Sequence, residues 1–433
     1  MTPNQRLLAV AAVSALVGAV IGAGVTQRLQ PPVGRSEQTN DGGEKAQEQL
    51  REAGAVYTPV AVSALPGWLQ DTVGQALPGL KRSCAALRAL SGDTIIGNGP
   101  IARPAAAWHA ACAQIAATPD GDANLRATLE REFMPYRVAS SMGAGRETPK
   151  GLFTGYYEAE FNGSLQQTGR YQVPIYGPPR NMIVANLRNF MAKSGPVPAG
   201  VPEVLVGRLD AEDAGLNQRR LRPYFTREEI DQGHAIADDA DVLLWADDPV
   251  AVHILHVQGS GRVNLPDGSQ IRIGFAGHNG RAFRGIGSIL VDAGMLPAGG
   301  ASMIAVRDWL KQHPDQAAEF MNRNTRYIFF RRIPADSEGP IGAQGVALTP
   351  GRSLAVDQRY IPMGSPVWLD LKDPDNVELQ RLVVAQDVGG AITGPVRGDY
   401  FWGHGEEAFQ KAARMKSQGS YFVFIPRPLP PGA

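Results

Sequence analysis

The run AQDVGGAITGPVRGDYFWG, residues 385–403, sets two aspartates among glycines and apolar side chains, with Arg397 as the only other charge. Asp387 closes the apolar stretch RLVVAQD ahead of a Gly-Gly turn, and Asp399 stands directly before Tyr400, Phe401 and Trp402. Apolar surroundings disfavour an ionised carboxylate and raise its pKa. A carboxylic acid that holds its proton near neutral pH can protonate a departing oxygen, the first requirement in breaking a glycosidic bond. The bland alternative is that both aspartates hold turn amides, a common use of Asp in loops.

Rival chemistries find little support. GSGR at Gly259 lacks the complete dinucleotide fingerprint and leads into a strand rather than a helix. His253 and His256 in HILH fall on an expected strand, which would turn them to opposite faces and deny them a shared metal. His278 in AGHNG and His404 in WGHG fall in expected turns and read as structural. There is no GxSxG nucleophile elbow, and no histidine is placed to activate a cysteine. Neither a metal nor another cofactor is expected.

The elements that must position the aspartates follow from texture. Arg6 precedes the apolar run 7–25, in which Ser14 is the one clearly polar residue, so residues 1–26 read as an export signal or a membrane anchor. Cleavage after GAG and retention both remain open, and the absence of a cysteine there excludes a lipobox. Residues 27–56 are polar and read as a flexible linker. From 57 to 150 apolar residues recur at helical spacing through LPGWLQDTVGQALPGLKRSCAALRAL, PAAAWHAACAQIAA and ANLRATLEREFMPYRV. Cys84 and Cys112 lie in two of these segments, and export favours their pairing over two buried thiols.

At Gly151 the pattern turns to strands, with GLFTGYYEAEFNGS and YQVPIYGPP. AVHILHVQGSGRVNLPDGSQIRIGFAG reads as two alternating runs around the turn PDG. Helical segments interrupt near 287–295 and at MIAVRDWLKQH, strands return in RYIFFRR, PVWLDL, RLVVAQD and YFVFIP, and EEAFQKAARMK is one last helix. A chain of 433 residues has room for two or three cores, and its 50 glycines and 33 prolines tilt it toward β-structure. Forty-two basic residues cancel forty-two acidic ones without a basic run, which disfavours nucleic acid and suits a neutral polymer or small molecule.

AVDQRYIPMGSPVWLD followed by VVAQDVGGAITGPVRGDYFWG resembles the three-aspartate domain that ends the membrane-bound lytic murein transglycosylase A family, with the aspartates at Asp357, Asp387 and Asp399. FTGYYEAEFNGS, YQVPIYGPP, HVQGSGRVNLPDGSQIRIGFAGHNG and NTRYIFFRR resemble that family's central domain, in the same order. The resemblance covers roughly residues 150–427 and implies a mainly β fold with an α-helical N-terminal part: a double-psi β-barrel built from 57–150 and 330–427, with a second, glycan-binding β-barrel at 151–329 inserted into it. It implies a peptidoglycan lytic transglycosylase in the periplasm, cleaving between N-acetylmuramic acid and N-acetylglucosamine with release of 1,6-anhydromuramyl ends. Asp399 takes the place of the catalytic acid, with Asp387 and Asp357 in support, and Arg397-Gly398 replace the histidine and aromatic that often precede it in the family. Tyr156, Tyr157, Gln258 and Ser260 are the expected groove residues, aromatic faces for sugar rings and polar groups for N-acetyl and hydroxyl groups. The alternatives are a non-catalytic wall-binding or wall-loosening module and a two-carboxylate glycan hydrolase.

Overall fold

The computed structural model describes residues 54–187, 204–209, 220–334 and 338–428. The expected export segment 1–26 and linker positions up to 53 lie outside the described residues. The strand Ala55–Pro59 pairs with Phe133–Ser141, so the linker gives way to sheet before residue 57.

The architecture is mainly β. Six strands hydrogen-bond in a closed ring: Gly151–Ser164, Arg397–His404, Ser353–Val356, Glu378–Asp387, Pro366–Lys372 and Lys416–Pro426, which pairs back onto the first. Two of these contacts are parallel, Ser353–Val356 with Glu378–Asp387 and Arg397–His404 with Gly151–Ser164. Phe153, Leu354, Val356, Val367, Leu382, Val384 and Val423, each fully buried, share its main core with residues of the N-terminal helices.

Those helices are Leu77–Arg88, Ala105–Ala117 and Asp122–Glu132. A disulfide between Cys84 and Cys112 joins the first two. The helical texture of the sequence runs on to Val138, but Phe133 opens a strand that pairs with the ring through Pro426↔Phe133 to Phe422↔Arg137. The buried Arg352 fastens the ring to the N-terminal segment: its guanidinium grips Asp71 at 2.7 and 2.9 Å and also donates to the Leu382 and Thr72 carbonyls.

The strand Gly151–Ser164 does not stop at the ring. Its second half pairs in parallel with Ser260–Asn264, which continues antiparallel to Gln270–His278 and then Ile328–Ile333. On its other side Val242–Ala246 pairs with both Gly163–Ser164 and Val173–Tyr176. This sheet packs over its own apolar cluster of Phe161, Ile175, Leu244, Leu255, Val263, Ile273 and Phe330. One continuous fourteen-residue strand therefore runs through both sheet regions.

The hairpin around PDG forms between Ser260–Asn264 and Gln270–His278, but the preceding AVHILHVQ is helical. Helix Pro249–Gln258 starts on Asp248, whose carboxylate accepts from the Val250 and Ala251 amides, and ends at Gly259 with φ +79°. His253 and His256 are thus on one side of a helix rather than on opposite faces of a strand. Both are buried against Arg227, with His256 Nδ1 accepting from the Arg227 guanidinium and the Ile328 amide. Burial, with Arg227 beside them, holds both imidazoles well below their usual pKa, and hence neutral.

Candidate active site

The site is assembled by strand register. Ala355 pairs with Asp387 on one neighbouring strand and with Asp399 on the other, and Asp399 in turn pairs with Thr154. Two strand spacings place the Cα atoms of the two aspartates about 10 Å apart across Ala355. The ring closure thus brings to one row carboxylates whose flanking sequences are separated by the turn 388–396.

Asp399 is half-buried, and Thr154 Oγ1 donates to its Oδ1 at 2.5 Å. The Thr154 hydroxyl accepts from Arg397 Nη2 at 2.9 Å, so a directed chain runs from guanidinium to hydroxyl to carboxylate. Burial raises the Asp399 pKa above the ordinary carboxylate range, while the Arg397 charge and the Thr154 hydrogen bond pull against it. A Cβ at Gly398 would lie 2.9 Å from the Phe153 ring. Phe153 already fills the space that a side chain before the acid would need.

Asp387 is also half-buried. Its Oδ1 accepts from the amides of Ala343 and Val388 at 2.9 and 3.0 Å, and its Oδ2 from the Tyr156 hydroxyl at 3.1 Å. Burial pushes this carboxyl up to about 6 despite those three hydrogen bonds, and the nearby Asp399 charge adds to the rise. Tyr156 itself is held well above its usual pKa, by burial first and then by both aspartates, so its hydroxyl stays a donor. Its ring lies 5.1 Å from Phe401, and with Ala355, Leu348 and Ile392 they form an apolar patch beside the carboxylates.

The remaining expected residues fall in different surroundings. Asp357 is 6% exposed and is engaged by Arg359 through Nε at 2.9 Å and Nη2 at 2.6 Å, and by the Gly394 amide at 2.8 Å. It clamps the loop before Asp399 onto the end of Ser353–Val356. Tyr157 points to the opposite side of its strand from Tyr156, and its ring packs on Phe409 of helix Gly405–Arg414 at 5.3 Å. Gln258 Oε1 accepts from the Tyr157 amide at 3.0 Å, which ties the end of helix Pro249–Gln258 to the shared strand. Ser260 is buried at the start of its strand, paired with Gly274.

Thr154 carries no signal of its role in the sequence. It lies 245 positions before Asp399, and only the parallel register Asp399↔Thr154 brings the two together. His278 accepts from the Gly280 amide, and burial near Arg326 lowers its pKa to about 4. Among the described residues no group of three or more His, Cys, Asp or Glu side chains is placed to hold a metal ion.

Residues 152–331 match the model of the MltA specific insert domain, and residues 352–425 match that of the 3D domain. The crystal structure of MltA from Neisseria gonorrhoeae is 33% identical with a TM-score of 0.70, over 87% of this chain and 95% of that one. The chain belongs to the MltA family. A membrane-bound lytic murein transglycosylase from Agrobacterium tumefaciens has 29% identity and a TM-score of 0.70, over 86% of this chain and 98% of that one. Membrane-bound lytic murein transglycosylase A of Escherichia coli (strain K12) is 30% identical over 286 residues, which is 64% of this chain and 66% of that protein. The mainly β architecture described above is that of the MltA structures.

Proposed function

We propose that this protein is a peptidoglycan lytic transglycosylase that cleaves the β-1,4 bond between N-acetylmuramic acid and N-acetylglucosamine. The observation that carries the reading is the row Asp387–Ala355–Asp399–Thr154, which presents two carboxyls of raised pKa beside the Tyr156 ring. Membership of a family whose named relatives are lytic murein transglycosylases supports it.

In this mechanism Asp399 acts as acid and then as base. Thr154 fixes Oδ1, which leaves Oδ2 to carry the proton. That proton goes to the glycosidic oxygen as the bond to muramyl C1 breaks, and N-acetylglucosamine leaves as an alcohol. The new carboxylate takes the proton of the muramyl C6 hydroxyl while that oxygen bonds to C1, closing a 1,6-anhydro ring. The acid is regenerated and no water is consumed. Arg397 and the Thr154 hydroxyl stabilise the carboxylate between the two half-reactions, while burial favours the protonated form that begins the cycle. Asp387, held by two amides and Tyr156, supplies negative potential toward the positive charge that develops at C1. Tyr156 offers its ring to a sugar and Ser260 lies on the same face of the proposed groove, while Tyr157 and Gln258 brace the shared strand from its other side. Asp357 supports the site by holding the loop before Asp399.

The closed ring is proposed to be the double-psi barrel of the family, built from 57–150 and 330–427, with 151–329 as the inserted glycan-binding barrel. The substrate places the enzyme in the periplasm, anchored by or released from its N-terminal segment. Among the described residues no helix is long and apolar enough to cross a membrane.

A second reading is favoured by the second raised carboxyl: Asp387 acting as general base on a water would make the enzyme a hydrolase. Digestion of purified murein with mass analysis of the products decides. Anhydro ends support the transglycosylase, reducing ends the hydrolase, and intact murein a non-catalytic wall-binding module.

A further inference from the structure

Glu158 stands four residues beyond Thr154 on the shared strand, about 13 Å along it, and by alternation it faces the same side as Thr154 and Tyr156. It is fully buried. Two arginines of the neighbouring strands enclose it: Arg262 Nε donates to Oε2 at 2.8 Å, and Arg272 Nε lies 2.7 Å from Oε1. The arginines are register partners, Arg262↔Arg272, and Ser260 lies on the same face. Their side chains remain 18% and 13% exposed.

A fully buried carboxylate carries a heavy desolvation cost, and a well-packed apolar side chain would serve the sheet as well or better. What Glu158 provides is orientation. It hydrogen-bonds Arg262 through Nε, which fixes the plane in which that guanidinium's remaining N–H groups lie, and holds Arg272 beside it as an ion pair. Such a fixed fork matches a carboxylate geometrically. Arg331 lies on the same face of the next strand, in register with Gly274. Exposed Glu160 lies on this face too, and its Oε1 accepts from Asn264 Nδ2 at 3.1 Å. Arg262, Arg272 and Arg331 thus outnumber Glu158 and Glu160 on the side that carries the proposed catalytic row, and Asp247, which reaches this face at Asn162, is paired with Arg170.

We propose that Arg262 and Arg272, held by Glu158, form a specificity site that receives a carboxylate carried by the murein strand. This rests on the murein reading of the active site. Such strands bear carboxylates in two places, on their peptide stems and, where the peptide has been removed, on the lactyl group of N-acetylmuramic acid. A chitin oligosaccharide has neither. The site therefore discriminates murein from a neutral glycan of the same backbone.

The test compares wild type, Arg262→Gln, Arg262→Lys and Arg272→Gln on peptide-bearing strands and on amidase-stripped strands. Affinity for a chitin oligosaccharide is measured in an Asp399→Asn background. Each Gln variant should lose about 10-fold in kcat/KM on at least one anionic substrate, through KM, as expected for one charge-assisted hydrogen bond. Chitin affinity should be unchanged. Loss on peptide-bearing strands assigns the stem carboxylates, and loss on stripped strands alone assigns the lactyl group. Arg262→Lys keeps a cation for Glu158 but lacks the fork, so it carries the test if Arg262→Gln fails to fold. Equal loss of chitin affinity, or no loss on either anionic substrate, overturns the proposal. Were the wild type to turn over no strand, the murein reading would fail, and the same comparison by binding would still decide on the arginines.

Discussion

Asp387 makes a quantitative prediction possible, because its raised pKa links activity to stability. Its carboxyl moves from the ordinary value of 3.8 to about 6 on folding. The folded protein therefore binds this proton more readily than the unfolded chain does. That contribution to stability is fully present below pH 3.8 and is lost as the pH rises through 6. A rise of that size corresponds to about 3 kcal/mol in full, of which roughly 2.5 kcal/mol is lost between pH 4 and pH 8, because the unfolded chain is already partly ionised at pH 4. Asp387→Asn removes the titration. Its carboxamide oxygen can still accept from Ala343 and Val388, and its NH2 can donate to the Tyr156 oxygen. Equilibrium urea unfolding of wild type and variant at half-unit steps from pH 4 to 8 reads the effect. The variant should gain on wild type by about 2.5 kcal/mol between the ends of that range, with the gain concentrated between pH 4 and 6.5. Turnover of murein should fall while the protein becomes more stable at pH 8. A difference in stability that is flat with pH, or that grows toward acid, would refute the assignment of a destabilising carboxylate at this position.

Asp399→Asn should abolish product formation, a loss of at least 10²–10⁴-fold by the usual worth of a general acid–base group, and sedimentation with murein should still report binding. Thr154→Val removes a hydrogen bond that favours the ionised form, so the Asp399 pKa should rise and the alkaline limb of the pH–rate profile should move to higher pH; a shift toward acid contradicts the relay. Replacing Cys84 and Cys112 with serine opens a loop of 28 residues and should cost about 3–4 kcal/mol in urea unfolding, by loop-closure entropy. His253 and His256 are held neutral by burial, so their contribution is present above the unfolded pKa near 6.5 and is lost as the pH falls below it. His253→Phe should flatten that acid loss, read as the slope of stability against pH between 4.5 and 6.5.

Chemistry is easier to read in this sequence than geometry. Asp387 and Asp399 stand out by their apolar flanks, and those flanks form buried strand segments. The hairpin around PDG is legible for the same reason, since two short alternating runs with a tight turn have few other solutions. The helix at AVHILHVQ reads wrongly as a strand because it is apolar nearly all round, which erases the periodicity that separates helix from strand. Better signals are present at its ends: Asp248 before Pro249 is a cap followed by proline in the first turn, and Gly259 is the left-handed stop. At Glu132–Phe133 helix passes to strand with no breaker between them, and tertiary pairing with Phe422–Pro426 decides the boundary. Thr154, Arg262 and Arg272 have no local signal at all, because each acquires its role from a strand distant in sequence.

The strand 151–164 explains why site and fold cannot be separated here. Its first half supplies Thr154 to the acid and Tyr156 to the second carboxylate, as a member of the closed ring. Its second half supplies Glu158 to the arginines of strands Ser260–Asn264 and Gln270–His278. A single continuous backbone, paired along its length with neighbouring strands, fixes the spacing between the proposed catalytic row and the arginine pair to within the stretch of a β-strand. Strand register is quantised, and a slip by one residue would turn Thr154, Tyr156 and Glu158 to the opposite face together. Activity and anion recognition should therefore fail together when the register of this strand is disturbed, yet separate cleanly when Asp399 or Arg262 is changed alone.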